Sequence, residues 1–227
     1  MPFQDLPARL AEVRSNIEQA RVRGGRGQEV TIVAVTKTYG PDAAFAAWDA
    51  GIKDVGENRV QEAAAKMAEV SVPVRWHLIG HVQRNKVKQL DEFHLVHSMD
   101  SARLADALDE HGRQRGRPMD VLLQVNVSGE GTKGGYVPAD VKAEAERLAG
   151  MTGLVVRGVM TMAPFDANEA TLRRVFAGAR DVAATLRTAG LPATELSMGM
   201  SGDYVVAVEE GATLVRLGTV LFGARSA

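Results

Sequence analysis

Short apolar runs alternate with amphipathic segments along the whole chain. VTIVAV (30–35), IKDVG (52–56), VRWHLIG (74–80), FHLVHS (93–98), DVLLQVNV (120–127), VVRGVMT (155–161), TELSMGM (194–200) and TLVRLG (213–218) are rich in Val, Ile and Leu. They lack strict polar alternation, which is the pattern of parallel strands buried on both faces. Segments with helical spacing lie between them at 41–50, 59–70, 84–90, 101–112, 138–150, 168–190 and 203–211, several ending at Gly or Pro. Ahead of the first strand, Leu6, Leu10, Val13 and Ile17 recur at helical spacing until RGGRGQ ends the segment. The pattern predicts an α/β fold, a closed (β/α)8 TIM barrel with an extra N-terminal helix. Such a barrel takes about 200–250 residues. The 227-residue chain therefore reads as a single barrel domain over 1–227, with no linker or repeat to divide it. A doubly wound open sheet shares the periodicity and is the alternative.

Composition narrows the chemistry. An apolar fraction of 45% and a charged fraction of 24% suit a globular protein with a sizeable core. A formal net charge of −1 supplies no global field for a polyanion, so nucleic acid is not an expected partner. The absence of cysteine removes disulfides, thiolate metal sites and a cysteine nucleophile, and suits a reducing compartment. The charged amino terminus, and the lack of any apolar run near about twenty residues, predict a cytoplasmic protein without a membrane partner.

Barrel chemistry collects at the carboxyl ends of the strands. The runs deliver there Lys37; Glu57 and Asn58; His77 and Gly80; His97 and Ser98; Asn126; Met160 and Thr161; Ser197 through Ser201; and Arg216, Gly218 and Thr219. A lone lysine at a strand end is most often a solvated cation. Lys37, however, shares strand parity with Val33 and Val35. If those face inward, Lys37 is a partly desolvated amine at an apolar mouth, the state Schiff-base chemistry needs. In LSMGMSGDY the small residues allow close backbone approach, and Ser201 is placed to cap a helix beginning near Asp203. In VRLGTVLFG, Gly218 and Thr219 offer an amide and a hydroxyl. The two loops together predict a phosphate cup, from which the Asp203 carboxylate must turn away. Arg216 shares the inward face two residues before Gly218, and a guanidinium opposite a pyridine nitrogen keeps that nitrogen unprotonated.

Other motifs carry less. GEGTKG (129–134) matches a dinucleotide fingerprint literally, but the next helix starts too late and no acidic residue closes the following strand. Lys133 in that loop reads as a solvated cation. His77 and His81 have metal spacing only on a helix, whereas this stretch leaves a strand. Arg84, Lys86 and Lys88 read as a solvated helix face without an aromatic platform for RNA. His94, His97 and Ser98 lack an acid for a triad. Nothing selects among Tyr39, Tyr136 and Tyr204 as an acid or base.

VAVTKTYG, DVGENRVQE, WHLIGHVQRNK, LLQVNVSGEGTKGG, GVMTM and LSMGMSGDYVVAVEEGATLVRLGTVLFG together resemble the pyridoxal 5′-phosphate homeostasis protein family, whose fold is an alanine racemase N-terminal-type barrel. The resemblance implies that Lys37 bonds pyridoxal 5′-phosphate (PLP) as an internal aldimine. It implies that Ser201, Gly218 and Thr219 hold the phosphate, with Met200 and Gly202 in the same loop. Arg216 would face the pyridine nitrogen, and Asn58 and Met160 would line the ring pocket with His77 nearby. The chain departs from the family at Thr36, where serine is usual, and at Gly134, where serine or another small residue is common. Alanine racemase and ornithine decarboxylase complete their sites with a carboxyl-terminal β domain and a partner subunit. A chain consumed by its barrel has no evident second base, so the resemblance implies a monomeric carrier without robust turnover. Such a protein buffers PLP or delivers it to PLP-dependent apo-enzymes. The alternatives are an amino-acid racemase or decarboxylase using Lys37, and a Schiff-base aldolase.

Overall fold

A strand that is apolar on both faces needs cover on both. Here the outer faces are covered by helices and the inner faces by one another. The computed structural model describes residues 3–131 and 133–223. Eight parallel strands close in sequential order into a barrel: β1 (Thr31–Val35), β2 (Asp54–Glu57), β3 (Arg75–Leu78), β4 (Leu95–Met99), β5 (Met119–Gln124), β6 (Leu154–Met160), β7 (Glu195–Ser197) and β8 (Leu214–Leu217). Helices α1 (Leu6–Gly24), α2 (Pro41–Asp49), α3 (Val60–Glu69), α4 (Ala102–Gln114), α5 (Val141–Ala149), α6 (Glu169–Thr188), α7 (Tyr204–Glu209) and α8 (Thr219–Phe222) surround it. The barrel expected from the alternating pattern is thus the observed fold, and the open sheet is excluded by the β1–β8 pairing of Thr31 through Ala34 with Leu214 through Leu217.

One element differs from expectation. The third crossover, Arg84–Gln89, is a 3₁₀ helix instead of an α-helix. Within it only Val87 is buried, too little apolar surface to hold a longer amphipathic helix. The helix that follows β8, α8, spans only four residues. The amino-terminal α1 packs against α7 and α8 and supplies the missing cover. Asn16 Nδ2 donates to the Tyr204 hydroxyl at 3.1 Å, and Arg23 pairs with Glu209 at 2.6 Å.

The core has two layers. Ala34, Val55, Leu78, Val96, Val121, Val159 and Val215 belong to the cluster between the strands and the helices. Val33, Leu95, Leu122, Met160 and Leu214 form a smaller cluster inside the barrel. The rest of the interior is polar: Asp54, His77, His97, Ser197 and Arg216 are all buried. Close strand approach explains one glycine, since a Cβ at Gly158 would lie 1.8 Å from the Glu195 carbonyl oxygen. Among the described residues no helix is long and apolar enough to cross a membrane.

Candidate functional site

The site begins where β1 ends. Thr36 extends the ladder by donating its amide to the Gly56 carbonyl at 3.0 Å, and the chain then turns, with the Tyr39 amide donating to the Thr36 carbonyl at 3.1 Å. Lys37 is the half-buried second residue of that turn. Strand parity therefore stops one residue short of it, and the turn sets its position. The following residue, Thr38, has φ 72°, a left-handed conformation that strains a β-branched residue by about 1–3 kcal/mol.

The turn is pinned from the outside of the barrel. Thr36 Oγ1 donates to Glu57 Oε1 at 2.6 Å, while Lys66 Nζ donates to the same oxygen at 2.6 Å and to the Thr36 carbonyl at 2.7 Å. All three side chains are buried, Glu57 completely. The threonine that stands where serine is usual thus faces the outer core, and its hydroxyl does what a serine hydroxyl would do there.

At the opposite side of the mouth two loops meet. Gly199 has φ 94°, and a Cβ there would lie 2.6 Å from that of Ala207, so only glycine fits the entry into α7. Ser201 does not cap α7, contrary to the sequence expectation. Its hydroxyl oxygen instead accepts the amides of Gly218 and Val220, both at 3.3 Å, joining the loop after β7 to the start of α8. Asp203 is the residue before α7, and its side chain accepts the Met200 amide at 2.5 Å. Gly202 faces open space, and Met200, Gly202 and Thr219 are exposed around the cup.

Burial pushes the Asp203 carboxyl above the usual aspartate range, with the Met200 amide and the Arg216 charge acting the other way. An anion in the cup lies near the Asp203 carboxyl, which repels it when ionised. Asp203→Asn keeps an acceptor for the Met200 amide and removes the charge, so it should tighten inorganic phosphate binding several-fold at pH 8 in calorimetry. Because the native carboxyl protonates as pH falls, the gap between variant and wild type should narrow toward acid.

Arg216 is only 5% exposed. Its NH1 donates to the Ser197 carbonyl at 2.8 Å and to Ser197 Oγ at 2.5 Å, and its NH2 donates to the Thr161 carbonyl at 3.0 Å. These acceptors are all neutral. Burial lowers the guanidinium to about 10, so it stays a cation at neutral pH. Asn58 follows β2 and is half-buried. A Cβ at Gly80 would lie 2.2 Å from the Asn58 carbonyl oxygen, which is why the chain after β3 can pass so close. Met160 lines the interior.

His77 is buried inside the barrel. Its Nε2 lies 2.8 Å from Asp54 Oδ1 and its Nδ1 lies 2.9 Å from His97 Nε2. His97 Nδ1 is in turn 2.8 Å from Ser197 Oγ, so His77 reaches Arg216 only through two intermediates. Asp54 was not singled out by sequence reasoning, and His97 and Ser197 were noted only as strand-end residues, not as partners of His77. Their signal was present, however: each is a polar residue on the inner parity of an otherwise apolar strand.

The remaining candidates lie elsewhere. His81 is exposed and paired with Asp100 at 2.9 Å, apart from His77. Lys133, read as a solvated cation, instead donates to the Ala163 carbonyl at 2.8 Å and pairs with Glu130. Ser98 Oγ donates to the Gly80 carbonyl at 2.6 Å. The tyrosine hydroxyls are engaged with Gly223 (Tyr39), Glu144 (Tyr136) and Asn16 (Tyr204).

A closed parallel barrel with a lysine after its first strand and a linked cup after its last two defines the alanine racemase N-terminal domain class, whose family profile matches residues 8–226. The chain belongs to the pyridoxal phosphate homeostasis protein family. It is 42% identical over 219 residues to the pyridoxal phosphate homeostasis protein of Pseudomonas aeruginosa, covering 95% of this chain and 94% of that one. It is 39% identical over 221 residues to that of Aquifex aeolicus, covering 96% and 97%. The solved structure of PipY from Synechococcus elongatus with PLP bound is similar at a TM-score of 0.86 and 40% identity, covering 96% of this chain and all of that one.

Proposed function

We infer that this protein holds PLP at the carboxyl end of its barrel and serves intracellular PLP homeostasis by buffering or delivering the cofactor. When bound, PLP supplies an aldehyde that a lysine amine captures and a ring that absorbs visible light. The observation that carries the reading is Arg216: a buried guanidinium held only by neutral oxygens, beside a cup whose amides converge on one hydroxyl.

In this reading Lys37 provides the amine. The Ser201 hydroxyl, Gly218 and Thr219 hold the phosphate, the Gly218 amide turning to it from Ser201 Oγ, with Met200 and Gly202 shaping the same loop. Arg216 donates toward the ring nitrogen and keeps it free of a proton. Asn58 and Met160 flank the ring, and His77 supports Arg216 from below. PipY, at 40% identity, is a protein solved with PLP bound, which supports the same ligand here. We take residues 1–227 to act as one barrel domain, a cytoplasmic monomer whose recipients are PLP-dependent apo-enzymes; the cysteine-free composition supports the reducing compartment.

The test is covalent trapping. Protein incubated with PLP and reduced with borohydride should carry one pyridoxyl group, located on the Lys37 peptide by mass spectrometry. Labelling spread over exposed lysines, or no labelling, would reject the reading.

A further inference from the structure

The barrel interior holds an unbroken line of hydrogen bonds. Arg75 NH2 donates to Asp54 Oδ2 at 2.6 Å, and the contacts Asp54–His77, His77–His97, His97–Ser197 and Ser197–Arg216 follow at 2.8, 2.9, 2.8 and 2.5 Å. With both imidazoles neutral, donor counting permits one direction. The Asp54 carboxylate only accepts, so His77 carries its hydrogen on Nε2 and accepts at Nδ1. His97 then donates from Nε2 and accepts at Nδ1 from the Ser197 hydroxyl, whose oxygen accepts from Arg216. Burial, aided by the charges of His77, Arg216 and His94, holds His97 well below the usual histidine range, so it is neutral at pH 7.

The lower end of the line opens on solvent. Asp54, Arg75 and His77 border a recess of about 410 Å³ at the amino-terminal mouth, together with His94, Asp120, Arg157 and Glu195. The charges facing His77 are Asp54 from β2, Arg75 from β3, His94 from the turn before β4, Asp120 from β5, Arg157 from β6 and Glu195 from β7. Asp120 is paired with Arg157 at 2.6 Å. The His94 ring lies 5.4 Å from that of His77, and burial holds it below the usual histidine range. Asp54 is held below the usual carboxylate range: burial acts to raise it, but the hydrogen bonds from His77 and Arg75 prevail.

We propose that Asp54, His77, His97 and Ser197 are a proton relay that couples the protonation of His77, beside the amino-terminal mouth, to the hydrogen bonding of Arg216 at the opposite mouth. Protonating the line puts hydrogen on His77 Nδ1, the nitrogen that faces His97: the His97 Nε2 hydrogen passes to His77 Nδ1, the Ser197 hydrogen passes to His97 Nδ1, and the incoming solvent proton completes the Ser197 hydroxyl. His97 then carries its single hydrogen on Nδ1 and presents it to Ser197, and the Ser197 hydroxyl turns its own hydrogen away. No proton is lost, and the oxygen beside Arg216 changes from donor toward His97 to double acceptor. The four are positioning residues for the ring, and only this last coupling rests on the PLP reading above.

The experiment uses the full chain, labelled with ¹⁵N-histidine, without cofactor. Long-range ¹H–¹⁵N spectra should show His77 and His97 both as Nε2–H tautomers at pH 8. On acidification His97 should switch to Nδ1–H at the midpoint where His77 takes up its proton. Ser197→Ala should move the His77 midpoint by about half a pH unit or more, although the two side chains do not touch. A His97 signal that stays fixed while His77 titrates, a His77 that takes up no proton before acid unfolding, or identical His77 titrations in both proteins would overturn the relay. Should Ser197→Ala not fold, the wild-type titration decides alone. In PLP-loaded protein the visible maximum should shift with the same midpoint, and a pH-independent maximum would overturn the coupling to the ring. Failure to load PLP would instead reject the functional reading and leave the cofactor-free result intact.

Discussion

Lys37→Ala should abolish the visible band that wild-type protein develops with PLP and weaken PLP binding about a hundredfold, because it removes the covalent link and leaves only the phosphate and ring contacts. The substitution should leave the fold intact, since Lys37 lies half-buried in a turn outside both core clusters. Thermal melts of cofactor-free variant and wild type should therefore nearly coincide. Lys133→Ala is the matching control: its amine is engaged by Ala163 and Glu130, so the band should persist. Titration followed by absorbance and by fluorescence checks both variants. A surviving band in Lys37→Ala would move the covalent role to another lysine.

Lys66→Ala should destabilise the protein by about 3–5 kcal/mol, because it strips the partner from a buried carboxylate. Glu57 is completely buried, and its Oε2 has no hydrogen-bond partner among the described residues. Without Lys66, its Oε1 keeps only the Thr36 hydroxyl. Urea unfolding should show a lower midpoint at unchanged slope. Replacing both members, as in Glu57→Leu with Lys66→Met, should recover most of the loss, since a well-packed apolar pair avoids the desolvation that the ion pair has to offset. The stabilised double variant should nonetheless bind PLP less tightly, because the clamp behind Thr36 also fixes the turn that carries Lys37.

Much of this architecture is legible in the sequence because its signals are local. A run such as VTIVAV followed by Gly-Pro announces a strand and its exit whatever the rest of the chain does. Eight such units in a chain of this length leave room for little besides a barrel. What escaped were properties that depend on partners distant in sequence. RNKVKQL has a helical pattern, but its α or 3₁₀ form is decided by how much apolar surface its neighbours leave to cover. Ser201 sits at an apt position to cap α7, yet two amides from the next loop compete for its oxygen and prevail. Parity correctly grouped Arg216 with the interior. It could not reveal that His97 joins His77 to Ser197 across three different strands. At Lys37 parity loses its basis, because the turn begins at Thr36 and alternation has no meaning beyond it.

The short α8 has a consequence for biosynthesis. Because α1 packs on α7 and α8, a segment made before the barrel is covered only by elements made after most of it. Closure likewise waits for β8, whose pairing with β1 joins residues nearly two hundred positions apart. A growing chain therefore carries an unsatisfied β1 edge and an uncovered apolar face of α1, built from Leu6, Leu10, Val13 and Ile17, until β8 and α8 have emerged. Chaperones that recognise exposed apolar helix should engage this amino-terminal segment during translation, and release should coincide with emergence of the final strand.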